Sequence, residues 1–261
     1  MRSEIIVSKR EIGVVVCLVL VLGIFCFLPG SSARYNARGY FMLRNGKPSE
    51  AVKALDRAVK LNPANWGARC NLGIAYYELG YFGKSIDAAN MALKLNPSSW
   101  KTELLLSSAY IARAEIDEGL EHGQKALELN KAEPGAYYNI GVCYLRKGQI
   151  DEAETWFLKA LELKPDYSAA QKSLGDLALG RVEFSKALRL YENSLEMDPR
   201  NSGAMIGTGF AKRALEDYDT AIQIFEDVGT VFPGKTAQME DEIRVTRKIK
   251  TEEEKVRKRR R

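Results

Sequence analysis

Histidine is almost missing from this chain: His122 is the only one in 261 residues. Ser-His-Asp and Cys-His triads, and His-rich metal sites, need an imidazole set beside partners, so most hydrolytic and metal chemistry falls away. No catalytic residue, cofactor site or metal-ligand set can be named, and an enzyme is not expected. Cysteine is equally uninformative. Cys17 and Cys26 lie within an apolar N-terminal run, and Cys70 and Cys143 are far apart, which gives neither a disulfide framework nor a CxxC zinc site. A broad basic surface is also lacking. The formal charge of +5 comes from residues 244–261, where ten Lys and Arg meet three Glu, while residues 34–243 carry 26 basic and 29 acidic groups. No nucleic-acid partner is expected from a mildly acidic body. What is present, 46% apolar and 28% charged residues, is the composition of a folded globular chain.

One stretch is uncharged and strongly apolar. Ile12 to Leu28 runs seventeen residues without a charge, preceded by Arg2, Lys9 and Arg10 and stopped by Pro29-Gly30. At 1.5 Å per residue a helix of that length spans roughly 26 Å, near the lower limit for crossing a hydrocarbon core. It exceeds the usual apolar region of a cleaved signal. Length therefore favours a retained anchor over residues 1–31, with membrane contact through residues 12–28. The alternative is cleavage near Ser31-Ser32-Ala33, whose small residues suit a signal peptidase. Basic residues flank both sides, so orientation is weakly specified. A signal-like N-terminus exports the chain behind it, and the expectation is therefore a single-pass bacterial inner-membrane protein with its body in the periplasm.

The remainder is periodic. Pro63, Pro97, Pro165, Pro199 and Pro233 lie at multiples of 34, with Lys131 in the vacant slot. Twenty-four residues before each slot stand Gly39, Gly73, Ser107, Gly141, Gly175 and Gly209. Twelve before stand Ala51, Ser85, Gly119, Ala153, Ala187 and Ala221. Small residues in such columns mark places where two helices cross closely, since a larger Cβ substituent would hold the axes apart. Apolar residues between the columns have helical spacing, as in Leu72, Ala75, Tyr76 and then Ile86, Ala89, Leu93. Glycines 46, 80 and 148 sit in the turns. The spacing predicts helices near 33–45 and 49–61, repeated every 34 residues to about 231.

Asn71-Leu-Gly-Ile-Ala-Tyr-Tyr-Glu-Leu-Gly80 followed by Ala92-Leu-Lys-Leu-Asn-Pro97, and Tyr138-Asn-Ile-Gly-Val-Cys-Tyr-Leu-Arg-Lys-Gly148 followed by Ala160-Leu-Glu-Leu-Lys-Pro165, resemble the tetratricopeptide repeat. The resemblance covers six units, residues 32–235. It implies an all-α solenoid, a right-handed superhelix of about six helix-turn-helix repeats, closed by a capping helix and basic tail over residues 236–261. Four departures mark repeats expected to be looser: Arg38 for an apolar residue, Ala114 for the turn glycine, and Ala178 and Lys212 for an aromatic.

The resemblance also implies that the first helix of each repeat lines a concave groove. Carried over by position, the lining includes Asn36 and Tyr40 in the first repeat; Asn71, Ile74 and Tyr77 in the second; and Lys101 and Ser108 in the third. It continues with Tyr138 and Asn139, then Lys172 and Asp176, then Phe210 and Arg213. Aromatic anchors among amides suit an extended peptide or a partner helix. Only Asn71 and Lys101 fit the clamp that some family members use for chaperone tails, so that specialised role is not expected. Met239 and Ile243 are placed to cover the last repeat. Lys255, Arg257, Lys258, Arg259, Arg260 and Arg261 read as a frayed solvated tail, or alternatively as a contact for anionic lipid headgroups. The expected function is a membrane-tethered scaffold that assembles other proteins. The alternatives are an exported soluble binding module, or a self-assembling scaffold on an organelle surface of the magnetosome type.

Overall fold

The computed structural model describes residues 31–260. The apolar run at 12–28 and Arg261 lie outside the described residues, and no helix among those described is long and apolar enough to cross a membrane. The chain divides into two compact units, Met1–Lys131 and Ala132–Arg261. The first holds helices α1 (Ser32–Arg44), α2 (Pro48–Leu61), α3 (Trp66–Glu78), α4 (Phe82–Leu95), α5 (Trp100–Ala112) and α6 (Ile116–Leu129). The second holds α7 (Pro134–Arg146), α8 (Ile150–Leu163), α9 (Ser168–Gly180), α10 (Phe184–Met197), α11 (Ser202–Ala214), α12 (Tyr218–Val231), a 3-10 turn at Pro233–Lys235, and α13 (Thr236–Arg260). Among the described residues there is no strand. Every helix through α12 begins 34 residues after its counterpart, within one residue of the sequence-based expectation.

Local chemistry explains that regularity. Each second helix ends on a residue of extended backbone, such as Asn62 (φ −142, ψ 94) and Asp198 (φ −137, ψ 89). Proline follows both, and its ring drives the preceding residue out of the helical region. Several first helices then start from a side-chain cap: Asn65 accepts from the Ala68 amide at 3.0 Å, and Asn201 from the Ala204 amide at 3.1 Å. The same two asparagines join consecutive repeats. Asn65 donates to Ser32 Oγ at 2.8 Å while Ser32 donates to the Ala58 carbonyl, and Asn201 with Ser168 repeats the arrangement against Ser194.

Within each hairpin the turn is a Schellman motif. In the second repeat Gly80 donates to the Tyr77 carbonyl and Tyr81 to the Tyr76 carbonyl, at 2.9 and 2.8 Å. The motif requires a left-handed residue, which is Gly46, Gly80 and Gly148 in three repeats and Ala114, Val182 and Glu216 (φ 63 to 65) in the others. Ala114 was legible as a substitution for glycine; Val182 and Glu216, in the same column, were not.

The small-residue columns pack as sterics demands. A Cβ on Gly73 would lie 3.2 Å from the Ser85 carbonyl oxygen, and Ser107 uses its hydroxyl to donate to the Gly119 carbonyl at 2.8 Å. The side chain that fills the space above the glycine comes from sixteen residues on. Cβ atoms on Gly39, Gly141, Gly175 and Gly209 would fall 2.4 to 2.7 Å from Leu55, Phe157, Tyr191 and Phe225. Those four are fully buried and sit in four separate core clusters. Replacing such a ring by alanine costs about 3–5 kcal/mol.

Two expectations change. The fifth and sixth repeats are not left open by their missing aromatics: Ala178 is buried beside Tyr191 and Ala211, and Lys212 pairs with Asp217 at 3.3 Å. Residues 255–260 are not frayed. They continue α13, because Lys250 and Arg257 reach back to Asp219 and Glu216 at 2.6 and 2.5 Å while Met239 and Thr246 anchor its first half in the core.

Candidate functional site

The sequence-selected residues fall on the first helices of their repeats, and each unit holds its own set. In the first unit α1 touches α3, and α3 touches α5, so one face carries side chains from three neighbouring helices. Asn71 donates its amide to Asn36 Oδ1 at 2.8 Å, linking α1 to α3. That pairing uses one amide N–H and one carbonyl; Asn36 retains its NH2 donors and Asn71 its carbonyl oxygen, the complement of a peptide backbone. Tyr40 lies one turn beyond Asn36 and is 52% exposed. Ile74 is half-buried and packs on both clusters of this unit. Tyr77 is half-buried with its ring centroid 5.5 Å from that of Phe82. Lys101 is exposed, its ammonium 5.4 Å from the Trp100 ring centroid, and Ser108 bonds back to the Leu104 carbonyl.

Cys70, at the neighbouring lining position, is buried, and burial pushes its thiol up despite opposing contributions from Thr102 and Lys101. A thiol so held is an inert packing group. His122 faces away from this chemistry too. Its Nδ1 lies 2.6 Å from Glu103 Oε2, and its ring stacks on Tyr110 at 5.3 Å, which makes a half-buried link between α5 and α6.

The second unit is arranged differently, since its candidate side chains are largely engaged by other groups of the same unit. Tyr138 is half-buried between Phe157 and Tyr167, at centroid distances of 5.6 and 5.4 Å, and Asn139 is buried. Burial, with Tyr138 and Glu133 contributing, pushes the Tyr167 hydroxyl up to about 12. Lys172 and Asp176 pair at 2.5 Å, one helical turn apart, and Asp176 also accepts from Tyr191 at 2.8 Å. Burial, followed by the Asp176 charge, pushes the Tyr191 hydroxyl far up, so it remains a neutral donor. Phe210 packs on Phe225, and the Arg213 guanidinium sits 5.1 Å over Phe210 while donating to Glu242 of α13 at 2.8 Å. The terminal helix therefore claims Phe210 and Arg213, which sequence reasoning left open for a partner. In the tail Lys255 and Arg257 pair with Glu252 and Glu216, and Lys258, Arg259 and Arg260 are exposed at the end of α13.

Solved structures of similar fold include the APC/C hetero-tetramer Cut9–Hcn1 (TM-score 0.78, 18% identity, 88% of this chain). This chain spans 45% of the length of that relative. PilF of Pseudomonas aeruginosa matches at TM-score 0.64 and 17% identity over 81% of this chain and 96% of its own. PilW, described as a type IV pilus biogenesis factor, matches at 0.65 and 19% over 77% and 94%. At these identities the likeness is one of fold. No curated protein matches the sequence. Two models of the tetratricopeptide repeat match, one at residues 134–167 and the other at 42–99 and 173–228, together more than half of the chain. Proteins built from these repeats bind other proteins and are generally not enzymes. With its 34-residue hairpins, its glycine crossings and these matches, the chain belongs to the tetratricopeptide repeat family.

Proposed function

We propose that this chain is a membrane-tethered scaffold that holds an extended segment of another protein on the first-helix face of its first unit. The observation that carries the reading is the Asn36–Asn71 amide pair flanked by Tyr40, Ile74 and Tyr77. Amides that bond each other keep a fixed orientation, and the donor and acceptor left over match the alternating groups of a backbone. Aromatic and aliphatic neighbours supply the apolar area that gives affinity. The second unit supports this choice by contrast, because its corresponding polar groups are paired internally.

The tether is the apolar run at residues 12–28. Retention is supported by what the small residues after it do. Ser31 caps α1 by accepting from the Arg34 amide at 3.2 Å, and Ser32 bridges Ala58 and Asn65. Cleavage after Ala33 would remove both from the fold. Periplasmic placement of the repeats, self-association and lipid contact by the tail belong to the same proposal.

The binding reading is tested with a photo-reactive side chain at position 40 and, as control, at position 91 on α4, where Met91 is also exposed. A polypeptide crosslinked at 40 and not at 91 is purified and its affinity measured. Asn71→Ala is expected to weaken it by about threefold to tenfold, the factor for one net hydrogen bond. Equal crosslinking at both positions, or unaltered affinity in Asn71→Ala, would refute the groove. Intact-mass measurement of the membrane-extracted chain tests the tether: a mass lacking the first thirty-odd residues sinks it.

A further inference from the structure

We propose that the open end of the first repeat rests on an anionic lipid headgroup layer, through Arg34, Arg38 and Phe41 of α1 with Lys53 and Arg57 of α2. In the repeats that follow another within the same unit, the positions equivalent to 34, 38 and 41 are where the preceding repeat packs, and they are small or apolar and buried. Ala68, Leu72 and Ala75 in the second repeat and Ala204, Thr208 and Ala211 in the sixth show the pattern. In the first repeat those positions hold two arginines and a phenylalanine, all exposed, with Phe41 at 68%. A further hairpin packed there would strip water from two guanidinium groups without partners, so this end is built to stay wet on one side.

Charge and shape agree. Residues 32–61 carry seven Lys and Arg against two acidic residues, whereas 100–129 carry three against six. A cleft of about 410 Å³ between α1 and α2 is lined by Tyr35, Arg38, Met42, Lys53 and Arg57, with Glu50 the acidic group in its lining. The Arg57 guanidinium sits 5.2 Å over the Tyr35 ring. Basic side chains interleaved with exposed aromatics match a headgroup layer, where cations meet lipid phosphates and aromatic rings sit at the interface. A second copy presenting the same face would meet like charge. Position completes the case and rests on the tether proposed above: three residues lie between Leu28 and Ser32, and the four steps of chain that join them reach at most ~14 Å fully extended. A repeat emerging that close to a bilayer has this end within range of its surface.

The test uses the full chain reconstituted in vesicles of phosphatidylcholine alone or mixed with phosphatidylglycerol. Acetylation of Lys53 by a water-soluble ester is followed by mass spectrometry, with exposed Lys84 and Lys101 as references. The expected result is acetylation of Lys53 slowed about fivefold or more by the anionic lipid alone, recovering as salt screens the contact. It should also recover in Arg38→Glu/Arg57→Glu, whose fold is checked by circular dichroism; the salt titration of the unaltered chain gives the answer should that variant not fold. A Lys53-to-Lys84 rate ratio identical in both lipids overturns the proposal. So does protection that persists in detergent and grows with protein concentration, which would mean a second copy covers this face. Alkaline extraction separates the two claims. A chain that stays with the vesicles but shows no Lys53 protection sinks the headgroup contact alone, and one that washes off yet is protected by anionic lipid sinks the tether alone.

Discussion

Replacing Val182 by glycine should stabilise the second unit. Val182 occupies the left-handed position of the fifth turn at φ 65, where an L-residue costs roughly 1–2 kcal/mol and a β-branched one sits at the upper end. Its side chain is 67% exposed, so little packing is lost on its removal. The two hydrogen bonds of the turn, from Val182 to Leu179 and from Glu183 to Ala178 at 3.1 and 2.9 Å, are backbone bonds that glycine keeps. Against the relieved strain stands the extra freedom of glycine in the unfolded chain, about 0.5–1 kcal/mol. The net expectation is a gain of about 1 kcal/mol, or roughly 0.5 M in the urea midpoint at a slope of ~2 kcal/mol/M. Urea unfolding followed by circular dichroism, with an unchanged slope, reads it. Two comparisons guard the interpretation. Gly80→Ala, at φ 77, should lose stability, whereas Gly83→Ala, at ordinary φ with open space around it, should gain up to about 1 kcal/mol from helix propensity. A Val182→Gly midpoint at or below that of the unaltered chain would refute the strain at this turn.

Three further outcomes rest on the packing and the buried phenols. Gly209→Ala should destabilise by about 1–3 kcal/mol despite the better helix propensity of alanine, because its Cβ would lie 2.4 Å from the Phe225 ring; a neutral result by urea titration would show the crossing is not tight. Tyr191→Phe, which removes the bond to Asp176 and leaves the ring between Gly175 and Gly207, should cost about 1.5–3 kcal/mol, and a loss no greater than that of Tyr35→Phe would contradict it. Tyr167, with its hydroxyl pushed up from 10 to about 12, favours the folded state fully below pH 10 and loses that contribution as pH rises from 10 through 12. Unfolding titrations across that window should show Tyr167→Phe falling less steeply with pH than the unaltered chain, and parallel curves would count against the assignment.

The fold was legible in the sequence because its steric requirements recur at fixed intervals. Proline after five of the six second helices and a small residue at each crossing, glycine in five repeats and Ser107 in the third, place twelve helices to within about one residue. What stayed hidden has a common physical cause, contact between residues distant in sequence or conformation without its usual residue. Val182 and Glu216 adopt the left-handed turn that glycine marks elsewhere, so composition gave no sign of them. Tyr191 lies over Gly175 from the opposite helix and shares a core cluster with Ala178, a contact the sequence alone does not show. The basic tail looks solvated when read alone and becomes helical because Glu216 and Asp219 lie alongside it. For the site, the family resemblance named positions on the first helices, but not which of those side chains are already paired within the chain. Lys172 with Asp176, and Arg213 with Glu242, are spent on each other, whereas Asn36 and Asn71 form a pair with capacity to spare. Arg38 stood out in the sequence as a departure from the repeat pattern and Arg34 did not; the exposure of both in the first repeat is what the proposed headgroup contact rests on.

Hydrogen-exchange protection of the chain bound to its purified partner addresses the docking face most directly. Binding should protect the segments of α1 and α3 that carry Asn36, Tyr40, Asn71 and Tyr77, with α2 and α4 little changed. Protection confined to the outer surfaces of α2 and α4, or to the second unit, would contradict the assignment of the first-helix face as the surface that holds other proteins.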